Sequence, residues 1–173
     1  MHPHAAAERG AELGDLAALG ARVVEGARTM ALAFSSCAHP GESEPSFELG
    51  PTEVELGVGI HGERGIDRVP FGTAAELTAR LVDPLVAALE LRSDDRVLAI
   101  VNGLGATQPL ELSIVFKETV ERLGAGGIEV ARSLVGTYVP ALDMAGASVT
   151  LVRVDDEMLE LWDAPARTVA LTR

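Results

Sequence analysis

The sequence holds a single cysteine, Cys37, so it can form no internal disulfide and no thiolate metal cluster. It has no run of Lys or Arg, and its 14 basic against 26 acidic side chains give a formal charge of −12. Nucleic acid and anionic membrane surfaces both require basic patches, so neither is an expected partner. The longest strongly apolar runs, such as VLAIV at 97–101, fall far short of the roughly 20 residues that span a bilayer. The opening MHPHAAAERG lacks a basic stretch followed by an apolar one, so no secretory signal is expected. A soluble, cytoplasmic chain is the simplest expectation. With 47% apolar residues, no internal repeat and no long linker, 1–173 reads as one packed domain, with 1–10 mobile and 37–52 a loop.

Hydrophobic spacing supplies the elements. Leu16, Leu19, Val23 and Ala27 predict a helix over 13–27, and MALAFSS (30–36) a buried strand. EVELGVGI (53–60) alternates, which predicts a strand with Val54, Leu56, Val58 and Ile60 on one side. His61 would continue the open Glu/Gly side. Thr73 and Glu76 have capping-box spacing before a Leu77, Leu81, Leu85, Leu89 stripe, in which Pro84 should kink or divide the helix. RVLAIV (96–101) predicts a buried strand, followed by NGLGAT and a helix opened by Pro109 and ended by GAGG. IEVARSLVG (128–136) and SVTLVRV (148–154) predict further strands. Asp155 should cap a short helix, and TVALT (168–172) should add an edge strand. Strands alternating with helices predict a layered α/β domain with a mixed β-sheet.

Candidate sites are few. NGLGAT sits where a strand turns into a helix, a place suited to anions, but Gln108 occupies the third glycine position of a dinucleotide fingerprint. No Lys-Ser/Thr follows to make a phosphate loop, so a structural turn and a ligand turn both stay open. Asp143 in LDMAG could cap a turn or meet a ligand hydroxyl. His2 and His4 lack a third ligand nearby, and four scattered histidines with one cysteine do not build a zinc site. In GVGIHGERG (57–65), glycines surround His61; the imidazole is either a turn residue or one exposed for chemistry.

Six stretches in fixed order then matter together: SSCAHPG, SFELG, ELGVGIHGERGI, VNGLGAT, RSLVG and LDMAGASVTL. In this order the chain resembles the C-terminal half of the dihydroxyacetone-binding K subunit of dihydroxyacetone kinases, over nearly its whole length. The resemblance implies the fold of that subunit's second domain and a covalent role for His61, which would attack a ketone carbon to give a hemiaminal. An imidazole with a pKa near about 6.5 is a competent neutral nucleophile, and glycerol offers no carbonyl to attack. Gly57, Gly59, Gly62 and Glu63 are implied as substrate-binding, the glycines leaving room for a short ketose or triose. Asn102, Thr107 and Asp143 would shape the pocket.

Departures accompany the resemblance. Arg64 stands where the family carries proline, Val139, Pro140 and Ala141 replace polar residues, and Ala147 replaces phenylalanine. The family's N-terminal half, which supplies an aspartate and a second histidine, has no counterpart in these residues. The resemblance therefore implies partners: a separate N-terminal-half K chain, and an L-type subunit carrying ATP or another phosphoryl donor with Mg. It also implies a homo- or hetero-oligomer. No cofactor or metal is expected on this chain. The alternative is a non-catalytic ligand-binding or assembly module that kept the fold and lost kinase activity.

Overall fold

The computed structural model describes residues 3–38, 41, 45–61, 63–169, 171 and 172. His2, His39 and Gly62 lie outside the described residues. The core is a six-stranded mixed sheet, as the α/β reading expects. Its strands are β1 (Ala27–Ala33), β2 (Glu53–Leu56), β3 (Asp67–Pro70), β4 (Arg96–Gly103), β5 (Glu129–Gly136) and β6 (Gly146–Arg153), in the order β3-β2-β1-β6-β4-β5. The β4–β5 pair is parallel and is bridged by helix α4 (Pro109–Ala125), since a parallel connection has to cross back over the sheet. The other neighbours pair antiparallel.

Period-two burial assigns the two faces. Leu32, Val97, Ala99, Val101, Ala147, Val149 and Leu151 face one way, where α4 and α3 (Ala74–Ala88) cover them. Ala31 and Ala33, with Leu98 and Val152, face the other way. There α5 (Asp156–Asp163) packs Met158, Leu159 and Trp162 against Leu98 and Val152, with Val23 of α2 (Leu13–Glu25) beside them. Arginines from four places hold acidic groups on or next to α5: Arg9 meets Glu160, Arg22 meets Asp155 and Glu157, Arg96 meets Asp156 and Arg132 meets Asp163.

The caps follow their sequence signals. Thr73 accepts from the Glu76 amide while Glu76 accepts from the Thr73 amide, and Asp155 accepts from the Met158 amide. Several expectations are corrected. Pro84 does not divide α3, which runs unbroken through it; Pro84 and Arg80, whose carbonyl loses its donor, are both exposed, so that carbonyl lies within reach of solvent. The strand at 53–60 stops at Leu56 because Gly57 turns out of the sheet at φ +80°. Val58 therefore packs with Ala31, Ala33 and Met144 rather than beside Val54 and Leu56. TVALT makes only an isolated bridge, Arg167 to Thr172, with Thr168 closing a turn on Leu171. Within the stretch expected to be mobile, Pro3–Glu8 form α1, and Arg9 just beyond it pairs with Glu160.

One buried charge stands out in the sheet. Glu55 on β2 is 2% exposed, and its carboxylate accepts from Arg68 Nε of β3 at 2.8 Å and from the Gly65 amide at 3.0 Å. A buried carboxylate stripped of its cation is strongly destabilising, although Arg68 is itself partly solvated. Arg68→Ala should therefore cost about 2 kcal/mol in urea unfolding, whereas Glu55→Gln, which removes the charge with its need for a partner, should cost less. Equal costs would show that packing, not the charge, holds this strand pair.

Candidate active site

His61 sits at the turn of the loop that joins β2 to β3. The loop's entry is fixed by the Gly57 amide donating to the Ala31 carbonyl at 2.7 Å, and its exit by the Ile66 amide donating to Leu56 at 2.8 Å. Glu55 holds the exit a second time through Gly65. Inside this frame Glu63 wraps around the histidine. Its carboxylate accepts from the His61 amide at 3.1 Å and lies 3.2 Å from His61 Nδ1, while its own carbonyl accepts from the Gly59 amide at 3.3 Å.

This geometry has a chemical consequence. A neutral imidazole with its proton on Nδ1, donated to Glu63, keeps its lone pair on Nε2. Nε2 is then the nucleophilic atom, and it stands on an open surface, because the His61 side chain is 80% exposed. The Glu63 carboxyl is held below its ordinary pKa, chiefly by its own backbone amide and then by the amide and ring of His61. A carboxylate so held is a weak base. Its part is to orient the ring and balance positive charge on it.

The glycines around His61 act within the loop. Gly57 supplies the left-handed turn that takes the chain off the sheet, and Ile66 fills the space beside it. At Gly59 a side chain would collide with the Glu63 carboxylate, the group that holds the ring. Gly62 lies outside the described residues. Arg64, the departure next to Glu63, shares the exposed side of the loop.

The remaining sequence candidates are engaged in hydrogen bonds within the chain. Asn102, 5% exposed, accepts from the Tyr138 and Val139 amides and donates to the Val139 carbonyl, so it clamps the end of β5 to β4. Thr107 donates to the Gly146 carbonyl and accepts from its amide. Asp143 accepts from the Ala38 amide, joining LDMAG to the long loop. The NGLGAT amides are also engaged: Leu104 donates to Gly146 and Ala106 to Met144. At the start of α4 the Gln108 amide is taken by Glu111. Leu104, Ala106 and Gln108 thus spend on the protein amides that a phosphate cradle would use. Among the described residues no group of three or more His, Cys, Asp or Glu is placed to hold a metal. No helix among the described residues is long and apolar enough to cross a membrane.

Sequence reasoning missed Glu55 and Arg68. Their signal is a cross-strand pair, legible only once DRVP (67–70) is known to pair with β2. With the loop's geometry defined, comparison with known proteins becomes informative. Residues 4–170 match the family model of the Dak1 domain. The chain belongs to the Dak1 family. The dihydroxyacetone-binding subunit DhaK of the PEP-dependent dihydroxyacetone kinase of Escherichia coli K12 is 39% identical over 191 aligned residues, which cover 96% of this chain and 54% of that protein. L-erythrulose 1-kinase of Mycolicibacterium smegmatis is 40% identical, covering 98% of this chain and 30% of that protein. Among solved structures, a dihydroxyacetone kinase operon co-activator, Dha-DhaQ, superposes with a TM-score of 0.87 at 28% identity, over 92% of this chain and 50% of its own. The dihydroxyacetone kinase of C. freundii in complex with AMP-PNP and Mg2+ gives a TM-score of 0.75 at 30% identity, over 92% of this chain and 30% of its own. This Dak1 chain thus spans about half, or less, of the relatives it matches.

The pH dependence of the loop follows from Glu63. Its pKa is lowered on folding, so its hold on His61 is complete above the ordinary carboxylate range and is lost only as the pH falls through the depressed folded value. The His61 backbone amide, which donates to Glu63, should keep its NMR shift until the pH falls below that range, and nitrogen-15 NMR should report the Nδ1–H tautomer wherever the ring is neutral. In Glu63→Gln the two neutral tautomers should mix at every pH above imidazole protonation. Gly59→Ala should have the same signature by displacing the carboxylate, with less than about 1 kcal/mol lost in stability, because a flexible side-chain end gives way.

Proposed function

We propose that this Dak1 chain is a substrate-binding component of a dihydroxyacetone-kinase-type system and that His61 captures a short ketose covalently. The observation that carries the reading is the exposed His61 with its Nδ1 against Glu63. The relatives named for binding dihydroxyacetone or for phosphorylating erythrulose, both short carbonyl sugars, support it.

The step is an addition and balances without any leaving group. The Nε2 lone pair of His61 forms a bond to the ketone carbon, and the C=O π pair moves to oxygen, which takes up a proton from water. The ring, now substituted on Nε2 and still protonated on Nδ1, is cationic beside Glu63. Loss of the Nδ1 proton to solvent gives the neutral hemiaminal, so the water-derived proton is returned. Glu63 stabilises the cation on the way and fixes the ring before it. Attack requires a carbonyl, and an alcohol such as glycerol has none; capture therefore selects ketoses by bond formation rather than by pocket shape.

Phosphoryl transfer is assigned to other chains. It requires positioned charge around the phosphates, and in the turn at 102–107 and at the start of α4 the Leu104, Ala106 and Gln108 amides are taken by internal hydrogen bonds. A K-type N-terminal half would supply acid–base groups over the open side of His61, and an L-type subunit would supply ATP or another donor with Mg. In this reading His61 is exposed because its cover belongs to another part of the assembly.

The likeness to the operon co-activator favours a second reading, in which the chain binds the ligand, or a partner, without supporting phosphorylation. Carbon-13 NMR of dihydroxyacetone labelled at the ketone carbon tests the capture step. A tetrahedral-carbon signal broadened by the protein should appear with the native chain, vanish with His61→Ala, and weaken about 10-fold with Glu63→Gln. No signal either with this chain alone or after addition of the N-terminal half of a related K subunit would overturn covalent capture. Capture without phosphorylation when both companion chains and donor are supplied would select the second reading.

A further inference from the structure

A groove of about 250 Å3 opens between α3 and α4 on the sheet face that carries Leu32 and Ala147, and its lining includes neither His61 nor Glu63. The His61 loop is anchored on the opposite face, where Val58 packs with Ala31 and Ala33. One wall of the groove is a tilted aromatic pair, Phe34 and Phe71, with ring centroids 5.5 Å apart. Ile114 of α4 forms the facing wall, and Ala147 lies on the floor. Phe71 and Ile114 are 61% and 43% exposed, a large apolar presentation for residues this close together.

The decisive feature is Thr78. It lines the groove, is only 2% exposed, and its hydroxyl has no hydrogen-bond partner among the described residues. Thr119 on α4 shows the ordinary solution for a buried helical threonine, donating to the Val115 carbonyl four residues back at 2.8 Å. Thr78 makes no such bond to Ala74. A buried hydroxyl left unpaired is costly, and a water placed beside it would need about 2–4 polar partners. Of the other polar side chains on the lining, Thr107 is bonded twice to Gly146, and Glu111, which accepts from the Gln108 amide through one oxygen, offers only acceptors. Glu111 also carries a negative charge at the lining, which disfavours anions.

We propose that this groove binds a small, uncharged, mainly apolar molecule carrying one hydrogen-bonding oxygen, with the apolar body between Phe34, Phe71 and Ile114 and the oxygen on Thr78. This is a second site, chemically unlike a triose: a triose is polar on every carbon and would waste its hydroxyls against these walls. An aryl alcohol is the simplest match.

Benzyl alcohol and toluene, which share a ring and differ by the hydroxyl, provide the test on the isotope-labelled chain. Backbone amide shifts around Phe34, Phe71, Thr78 and Ile114 should saturate with benzyl alcohol at a Kd on the order of a millimolar, and with toluene roughly 5- to 10-fold more weakly, the worth of one net hydrogen bond. Thr78→Val should abolish that preference while leaving the chain as stable as before or more so, because a methyl replaces an unpaired hydroxyl. Ala147→Phe should fill the floor and remove binding of both probes. If it disturbs the sheet, Ile114→Trp should block the groove from its rim. His61→Ala should leave both titrations unchanged, which separates this site from ketose capture. Absence of saturable shifts up to the solubility limit of benzyl alcohol, or equal binding of the two probes to the native chain, would sink the proposal. Binding that survives the groove-filling variants would place the probes elsewhere and also overturn it.

Discussion

A single buried carboxylate holds the β2–β3 end of the sheet together. Glu55 is withdrawn from solvent in the middle of a short strand, and such a charge persists only if it is paired and hydrogen-bonded. Arg68 gives it a cation from the neighbouring strand, and Gly65 gives it an amide from the loop between them. The same group therefore fastens β3 onto β2 and fixes the exit of the loop that carries His61. That fastening limits the conformational freedom of the ten residues between the two strands.

Within the loop, a second carboxylate does a different job. Glu63 is exposed and accepts from the amide of the residue whose ring it orients. The two acids differ by environment: the buried one ties the strands and the loop exit, and the exposed one lies 3.2 Å from Nδ1 of the imidazole. That contact resembles the way metal-binding and catalytic histidines are governed by a neighbour on the far ring nitrogen. The His61 ring itself stands open to solvent.

The two sheet faces are used unequally. One is packed under α3 and α4 and leaves a groove where the two helices part near Phe34 and Phe71. The other carries α5, tied down by arginines, and the cluster of loops from which the His61 loop springs. The NGLGAT turn joins these loops as a mechanical part. Its amides bind the LDMAG segment, so a stretch with the look of a ligand turn is a hinge pin between β4 and β6.

What the sequence determined by itself was local. Alternating and helical spacing placed most of the strands and helices, the Thr73/Glu76 and Asp155 caps were legible because capping is a contact over three residues, and the order of six motifs identified the family. Only tertiary structure decided the rest. Whether the NGLGAT amides were free depended on LDMAG, some forty residues away. The end of β2 at Leu56 depended on Gly57 turning off the sheet, which apolar alternation through Ile60 concealed. Pro84 remained inside α3 because the helix is held by its buried leucines and the carbonyl that loses its donor lies within reach of solvent. The partnership of Glu55 with Arg68 required a strand pairing too short to announce itself, and the unpaired hydroxyl of Thr78 required packing that no local pattern encodes. Contacts within one turn of chain are written in residue spacing; contacts across the sheet exist only when the whole sheet has closed.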